Sequence, residues 1–446
     1  MKLALLAMSG LRAHNEQLTQ LGLTMPGFVE RNKQIASLPS LGLLTLAGMT
    51  PDDIELGYFE VDDIGEFDGL PEDYDVVAIS SFSAQMKDAY VLADQFRANG
   101  IRVILGGLHV TARPDEARQH ADSIIIGEGE PSWPTLIDDL RKGQLQAVYD
   151  SRATPFDLAN APMPRFDLLN AERYNRLTVQ TQRGCPFDCE FCAASIRLSP
   201  KFRVKPVAKV IAEIRRIKEL WPKPFIEFAD DNTFANKKHA KRLVRALIPE
   251  QVKWFTETDI SVARDNELLA MMRDSGCAQV LIGLESPTLA GLSGVEQKSN
   301  WKAKQRDSYY WAIHKIQSYG ITVNGCFVMG MDGTGPESFQ QVLDFVRDSG
   351  LFEVQVTIQT AFPGTPLYDR LQASERLIDE TAWELCTLFD VNFRPDGMSA
   401  EELENKFLWL VQELYSAEAT KARRASFFNL RRELKKDVRL RVGGTG

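Results

Sequence analysis

Short apolar strands alternate with helices along the first 150 residues, and this alternation restricts the chain to a sheet covered by helices. The stretch DVVAIS precedes a helical pattern that ends at Gly100, and IRVILGG with LHVTARPDEARQH and ADSIIIGEGE with SWPTLIDDLRKG repeat the unit. Near-continuous apolar strands are typical of parallel sheets buried on both faces. Residues 1–150 are therefore predicted to form a Rossmann-like, doubly wound α/β domain, with its ligand beyond the carboxyl ends of the strands.

A second alternating series begins after a proline-rich stretch. Pro155, Pro162 and Pro164 interrupt regular structure, so residues 151–174 are predicted to be a linker. Between residues 175 and 371, six strands alternate with helices, from LTVQTQRG to EVQVTIQTAFPG. This order predicts a partial TIM-like (β/α)6 barrel with its chemistry at the carboxyl ends of the strands. The region 372–446 is predicted to be mostly helical.

Composition and charge favour a globular protein of a reducing compartment. The chain has 446 residues, 44% hydrophobic content and a net charge of -9, which argues against extensive binding to nucleic acid. The opening MKLALLAMSGLRAH has too short an apolar run for a secretion signal, and no stretch reaches the roughly 18 apolar residues of a membrane helix. Six cysteines in a chain without an export signal favour the cytoplasm.

Three of the six cysteines lie in one short loop, RGCPFDCEFCAAS, at positions 183–195. Three thiolates on one loop can hold three corners of a cubic iron–sulfur cluster and leave the fourth iron open to a substrate. Zinc held by three Cys and one His is the alternative, but His120 and His239 are remote in sequence and no second cysteine pair follows. A disulfide is a third possibility. Three further cysteines stand alone and are predicted to be buried structural thiols: Cys277, Cys326 and Cys386.

The spacing CPFDCEFC resembles the C-x3-C-x-aromatic-C signature of the radical S-adenosylmethionine (SAM) superfamily. The stretches IEFADDNTF, VLIGLES, VNGCFVMGMDG and TAFPGTPLYDRL resemble barrel strands of the subgroup that carries an amino-terminal cobalamin-binding domain. This resemblance implies that Cys185, Cys189 and Cys192 bind a [4Fe–4S] cluster and that Phe191 shields it and faces the adenine of SAM. It also implies that SAM binds the open iron and is split by one electron into a deoxyadenosyl radical.

Acidic residues near the ends of the barrel strands are candidates for contacts to SAM or substrate. Asp230 and Glu285 are expected to contact SAM, as the resemblance implies. Asp231, Glu257 and Asp259 are candidates for a catalytic role. The alternative for each acid is a strand-end cap or a salt bridge.

Three loops of the first domain are predicted to hold cobalamin, as the resemblance implies; the alternative is that they bind another ligand or only turn the chain. Relatives that coordinate cobalt from below use a D-x-H-x-x-G motif, and His109 instead has Gly107 two residues before it. Cobalamin is therefore expected without a histidine ligand on its lower face. The candidate residues are Ser80, Ser81, Ser83, Gly106, Gly107, His109, Thr111, Gly127, Glu128 and Gly129.

The leading hypothesis is a cobalamin-dependent radical SAM methyltransferase that acts on an unactivated carbon of a small molecule or lipid. A radical cyclase or rearrangement enzyme without net methylation is the second hypothesis, and a zinc-stabilised binding protein is the third. A radical enzyme needs an electron donor such as flavodoxin or ferredoxin. Neither a stable nucleic-acid complex nor a membrane span is expected.

The last part of the chain is strongly basic. Residues 421–441 contain nine Lys or Arg and two acids, and apolar residues recur on one helical face. This pattern favours an amphipathic helix packed on the barrel with a solvated basic face, and an anionic partner is the alternative.

Overall fold

The computed structural model describes residues 1–9, 13–21, 38–70, 73–193 and 201–443. By contacts the chain divides into two compact units. The first unit contains most of the chain up to Asp231 together with Thr360–Asn392, and the second contains Asn232–Gln359 and Phe393–Gly446.

Fourteen strands lie within the described residues. They are β1 (Lys2–Met8), β2 (Glu55–Val61), β3 (Val76–Ser80), β4 (Arg102–Gly106), β5 (Ser123–Ile126), β6 (Val148–Asp150), β7 (Leu177–Val179), β8 (Gln182–Arg183), β9 (Arg203–Val204), β10 (Phe225–Phe228), β11 (Lys253–Thr258), β12 (Cys277–Glu285), β13 (Thr322–Met329) and β14 (Glu353–Ile358).

The α-helices of the described residues follow most of these strands. They are α1 (Glu16–Gln20), α2 (Leu41–Ala47), α3 (Met86–Ala98), α4 (Leu108–Ala112), α5 (Pro114–Ala117), α6 (Gly129–Lys142), α7 (Val207–Leu220), α8 (Lys237–Leu247), α9 (Asn266–Asp274), α10 (Trp301–Gln305), α11 (Tyr309–Ser318), α12 (Glu337–Ser349), α13 (Pro366–Ala373), α14 (Ala400–Tyr415) and α15 (Ala417–Gly443).

The first sheet is parallel and has the strand order β2-β1-β3-β4-β5-β6. The order reverses between β1 and β3, and in doubly wound sheets a ligand binds beyond the carboxyl ends of the strands at this switch point. Alternate residues of β1 pack into separate apolar clusters, with Leu6 in one and Leu5 in the other. The sheet is therefore buried on both faces, which confirms the predicted Rossmann-like α/β fold.

The second sheet has the order β7-β10-β11-β12-β13-β14. Pairing is parallel between β7 and β10 and from β11 through β14, so each strand follows its neighbour in chain order. Such an order, with helices between the strands, is that of a (β/α) barrel. The predicted partial barrel and helical carboxyl-terminal region are thus confirmed. The short hairpin of β8 and β9 is antiparallel and separate from both sheets.

The proline-rich segment 151–174, predicted to be a linker, contains ordered turns and buried side chains. It contains three short 3-10 turns, and Leu158 and Phe166 are each only 1% exposed. Arg165 N donates to Leu44 O at 3.0 Å, so the segment packs on the first unit. The prolines interrupt regular structure as expected, but the apolar side chains of Leu158 and Phe166 are buried.

In the part of the chain that the structure describes, no helix is long and apolar enough to cross a membrane.

Gly276 allows the turn that leads into β12, and its replacement tests the fold of the second unit. Its φ is +92°, and a Cβ there would lie 2.2 Å from Val252 O. Gly276→Ala is expected to lower the free energy of unfolding by more than about 2 kcal/mol, through backbone strain and this clash. Gly143→Ala is the matched control, because Gly143 has φ +67° but open space around it. Urea unfolding should show the larger loss for Gly276→Ala; equal losses would contradict the clash.

Candidate functional site

The cysteine loop leaves β8 and is held by α13 within the first unit. Cys185, Cys189 and Cys192 are half-buried, and Cys192 N donates to Cys189 O at 3.0 Å. On the far side, Leu367 N donates to Glu190 O at 3.2 Å, and Arg370 Nε donates to the Glu190 carboxylate at 3.0 Å. A segment 180 residues further along the chain therefore fixes this loop.

The three thiols suit an iron–sulfur cluster. Among the described residues, no three Cys, His, Asp or Glu side chains form a group that could hold a metal ion. A cubic cluster makes a different demand, because each thiolate binds a different iron and the three sulfurs need not converge on one point. Phe191 is half-buried next to Cys192 in the chain. Its predicted role beside adenine stays a prediction.

Asp230 organises the chain just before the cysteine loop. The side chain is 5% exposed, and its Oδ1 accepts hydrogen bonds from Thr181 N at 2.7 Å and Gln182 N at 3.0 Å. The Thr181 hydroxyl donates to Oδ2 at 2.5 Å. The structure thus gives Asp230 the capping role that the sequence left as the alternative, while a contact to SAM stays a prediction. Asp231 follows it and is half-buried.

Two arginines of the β8–β9 hairpin bind Glu128, which lies in the loop between β5 and α6. Arg183 Nη1 lies 2.8 Å and Arg203 Nη2 lies 2.6 Å from Glu128 Oε1. Phe156 N donates to Oε2 at 2.7 Å, and Glu130 Oε1 accepts from Arg183 Nη2 at 2.7 Å. Arg183 is two residues before Cys185, so this network ties the start of the cysteine loop to the carboxyl edge of the first sheet.

The Glu128 carboxylate stays ionised in this network. Burial alone would raise its pKa, but hydrogen bonds from Arg203 and Arg183 outweigh burial and lower the pKa to about 2. The Glu128 side chain binds two arginines and a backbone N–H, and its predicted contact to cobalamin stays a prediction.

Glu128→Gln tests this link. Removing the negative charge leaves two arginines without their shared partner, and we expect the variant to lose about 3 kcal/mol of stability at neutral pH. Because the folded pKa is lowered, the stabilising effect is complete above pH 4.5 and is lost as the pH falls toward 2. Urea unfolding against pH should therefore show the two proteins converging in acid. A constant difference down to pH 2 would contradict the ionic origin.

Hydroxyl groups and one buried amide lie at the switch point of the first sheet. Ser81 and Ser83 follow β3, are less than 9% exposed, and lie beside Ser80. Gln85 Nε2 donates to Ser9 O at 3.0 Å across the switch point, whereas Gln85 Oε1 is buried without a hydrogen-bond partner among the described residues. A buried acceptor without a partner is costly, so this edge fits a ligand that donates a hydrogen bond, as the amide groups of cobalamin do.

Two glycines with positive φ shape the turns at this edge. Gly107, after Gly106, has φ +110°, and a Cβ there would lie 3.4 Å from the Ser80 hydroxyl. Gly127 has φ +87°, and a Cβ would lie 2.8 Å from the Ser151 hydroxyl. The Thr111 hydroxyl joins the two turns, since it donates to Gly107 O and accepts from Gly127 N, both at 2.9 Å.

Gly129 begins α6 in the same loop cluster. A Cβ at this position would lie 3.2 Å from Leu46, so the helix can pack closely on α2.

His109 points into the protein. Its ring is 1% exposed, with Nδ1 3.1 Å from the Ser83 hydroxyl and Nε2 3.6 Å from Glu116 Oε1. The ring packs edge-on against Trp383 with centroids 5.0 Å apart. Both ring nitrogens thus face protein groups, and cobalamin without a histidine lower ligand remains the prediction.

The barrel acids of β11 differ in their surroundings. Glu257 is exposed near the end of the strand, and its backbone carbonyl accepts from Thr233 N at 3.1 Å. Asp259 accepts from Asn232 Nδ2 and from Ser261 N, each at 2.8 Å, and so caps the next turn. Glu257 is the more exposed of the two, and the catalytic role of both stays a prediction.

Glu285 ends β12 in a left-handed conformation with φ +62°. Its carboxylate is 2.5 Å from Lys302 Nζ, which also donates to Gly283 O at 2.9 Å. Burial, and then the carboxylates of Glu285 and Glu257, raise the pKa of the Cys326 thiol well above its ordinary value, so these groups of the second unit share one region. A non-glycine residue held at positive φ is a mark of functional sites.

Sequence reasoning missed the cations of the site. Arg183 lies two residues before the first cysteine of the motif, and Arg203 and Lys302 lie in stretches without a recognisable pattern. The position of Arg183 was a usable signal. The partners of the other two depend on contacts that no local pattern encodes.

Lys302→Met tests whether Lys302 stabilises the buried carboxylate of Glu285. The change leaves a carboxylate that is 6% exposed without its cation, and the free energy of unfolding should fall by about 3 kcal/mol. Lys304→Met is the control, because Lys304 lies exposed on the same short helix. Equal urea midpoints for the two variants would contradict a supporting role for Lys302.

Comparison with known proteins agrees with this geometry. The model of the radical SAM superfamily matches residues 179–346, that of the B12 binding domain matches 37–137, and a domain of unknown function (DUF4070) matches 365–441. These regions define a radical SAM enzyme, and the first of them includes the cysteine loop. The chain thus carries a radical SAM domain and a B12-binding domain, and it uses a [4Fe–4S] cluster, SAM and cobalamin. The zinc-stabilised binding protein is thereby set aside.

Named relatives and solved structures share most of the chain. Bacteriochlorophyllide d C-12(1)-methyltransferase of Chlorobaculum tepidum is 29% identical over 81% of this chain and 80% of its own length. Anaerobic magnesium-protoporphyrin IX monomethyl ester cyclase of Rubrivivax gelatinosus is 22% identical over 69% of this chain and 59% of its own. The structure of the cobalamin-dependent SAM radical enzyme OxsB aligns with a TM-score of 0.68 at 15% identity, over 96% of this chain and 72% of that one.

Proposed function

We propose that this chain is a cobalamin-dependent radical SAM methyltransferase acting on an unactivated carbon of a small-molecule or lipid substrate. The observation that carries the proposal is the network around Glu128. It joins the glycine-rich edge predicted to hold cobalamin to the arginine two residues before the first cluster cysteine. Methyl transfer to a substrate radical requires a radical source and a methyl donor held in a fixed relation, and this network supplies such a relation.

When bound, the cluster and SAM supply the deoxyadenosyl radical, and cobalamin supplies the methyl group. In this chain Cys185, Cys189 and Cys192 would hold the cluster. Gly107 and Gly127 would give the loops that hold cobalamin their turns, because both have a positive φ that other residues rarely adopt. Glu257, an exposed acid near the end of a barrel strand, would bind a polar group of the substrate.

The named relatives support carbon methylation of polycyclic compounds, since one of them is a bacteriochlorophyllide methyltransferase. The cyclase relative favours a second candidate, radical ring closure without net methylation. We also propose that flavodoxin or ferredoxin supplies the electron, in the cytoplasm, where reducing conditions protect the thiols.

Deuterated SAM distinguishes the two candidates. With SAM carrying a trideuteromethyl group, wild-type enzyme and a tetrapyrrole or polycyclic lipid substrate under anaerobic conditions should give a product that carries the labelled methyl. Cys189→Ala should lose both the cluster absorbance and the product, because the cluster loses one corner. Cys277→Ala, which removes a buried thiol outside the loop, is the control and should keep both.

Two outcomes would overturn the proposal. Full activity of Cys189→Ala would exclude radical chemistry at this loop. A product without the label, formed only with an intact cluster, would favour the cyclase candidate.

A further inference from the structure

The last helix, α15, exposes a row of basic side chains interrupted by one aromatic. We call Lys421, Arg424, Phe428, Arg432 and Lys436 the outer stripe. Successive members are three or four residues apart, a spacing that places them on one face of an α-helix, and all five are exposed. The stripe runs for about 22 Å along the helix.

The opposite face fixes the orientation of the helix within the second unit. Phe427 is 4% exposed and packs edge-on against Phe352 with ring centroids 5.1 Å apart. Arg423 is 6% exposed, and its Nη1 donates to Leu414 O at 2.6 Å. Because these side chains are buried, the helix cannot turn the outer stripe inward without losing its packing.

The charge of the outer stripe is largely uncompensated. Arg424 binds Glu353 at 2.8 Å, but Lys421, Arg432 and Lys436 make no ion pair with any side chain that the structure describes. By contrast, Lys241 of the basic helix α8 binds Asp265 at 2.9 Å and Glu267 at 2.7 Å. A chain of net charge -9 thus carries a local surface of the opposite sign.

The exposed Phe428 side chain indicates what kind of partner the outer stripe binds. The Phe428 side chain is 54% exposed in the middle of the row of cations. On the neighbouring helix α11, Tyr310 and Trp311 are each 50% exposed. Cations around a projecting aromatic ring suit the boundary between lipid headgroups and acyl chains, where Lys and Arg side chains are attracted to an anionic leaflet.

We propose that the outer stripe docks this protein on the surface of an anionic lipid bilayer, with α15 lying in the membrane plane and Phe428 entering the headgroup region. A lipid surface fits better than an acidic protein, because mobile headgroups pair with evenly spaced cations without a fixed register. The proposal concerns the second unit alone. It stands whether or not the chain is a methyltransferase.

Co-sedimentation of the full chain with vesicles tests the proposal. The vesicles contain phosphatidylcholine alone or phosphatidylcholine with an equal amount of phosphatidylglycerol. We expect binding to the anionic vesicles at least tenfold tighter, and its loss at high salt. Replacing Lys421, Arg432 and Lys436 together by Glu should abolish binding, and Phe428→Ala should weaken it several-fold while preserving the salt dependence.

A matched triple variant provides the control. Lys238, Arg242 and Arg245 are exposed on α8, so replacing all three by Glu changes the net charge by the same amount. This control should still bind the anionic vesicles, and thermal unfolding should show that both triple variants are folded.

Three results would overturn the proposal. They are absence of binding to anionic vesicles, equal losses in the two triple variants, and a loss in the stripe variant of binding to an acidic flavodoxin while vesicle binding persists.

Discussion

One buried carboxylate determines how the beginning of the cysteine loop is placed. Glu128 accepts hydrogen bonds from Arg183, Arg203 and Phe156 N, and it belongs to a loop at the carboxyl edge of the first sheet. Its charge is stable because the two guanidinium groups outweigh the cost of burial. Glu128, in the predicted cobalamin loop, thus accepts hydrogen bonds from both the β8–β9 hairpin and the segment after β6. Displacing any one of these three segments would disturb the hydrogen bonds that link it to the others.

The parallel arrangement of the strands explains why the candidate site residues lie together at the carboxyl edge of each sheet. Each strand ends at the same edge as its neighbours, so residues far apart in sequence, such as Ser83 and His109, become adjacent. The edge tolerates strain because the strands behind it bury many apolar side chains. Glu285 illustrates this, since its left-handed backbone is held by Lys302 and by a strand whose Leu284 is fully buried.

The features that could be predicted from the sequence are those encoded by a pattern within a few consecutive residues. Strand and helix alternation gave both sheets, and the cysteine spacing gave the family, because each is written within a few consecutive residues. The partners of Asp230 and Glu128 were not predictable, since Thr181 lies 49 residues from Asp230 and Arg183 lies 55 residues from Glu128. The packing of residues 151–174 was missed for the same reason, because the core that receives Leu158 and Phe166 is built elsewhere.

The contacts of α13 have a consequence for biosynthesis. Glu190 is held by Leu367 N and Arg370, residues that leave the ribosome long after the cysteines do. During translation there is therefore a period in which the three cysteines have been synthesised but α13, which contacts their loop, has not. The contacts of this loop with Leu367 and Arg370 form only after both residues have left the ribosome, and in the interval the nascent chain depends on the cell to keep its thiols reduced.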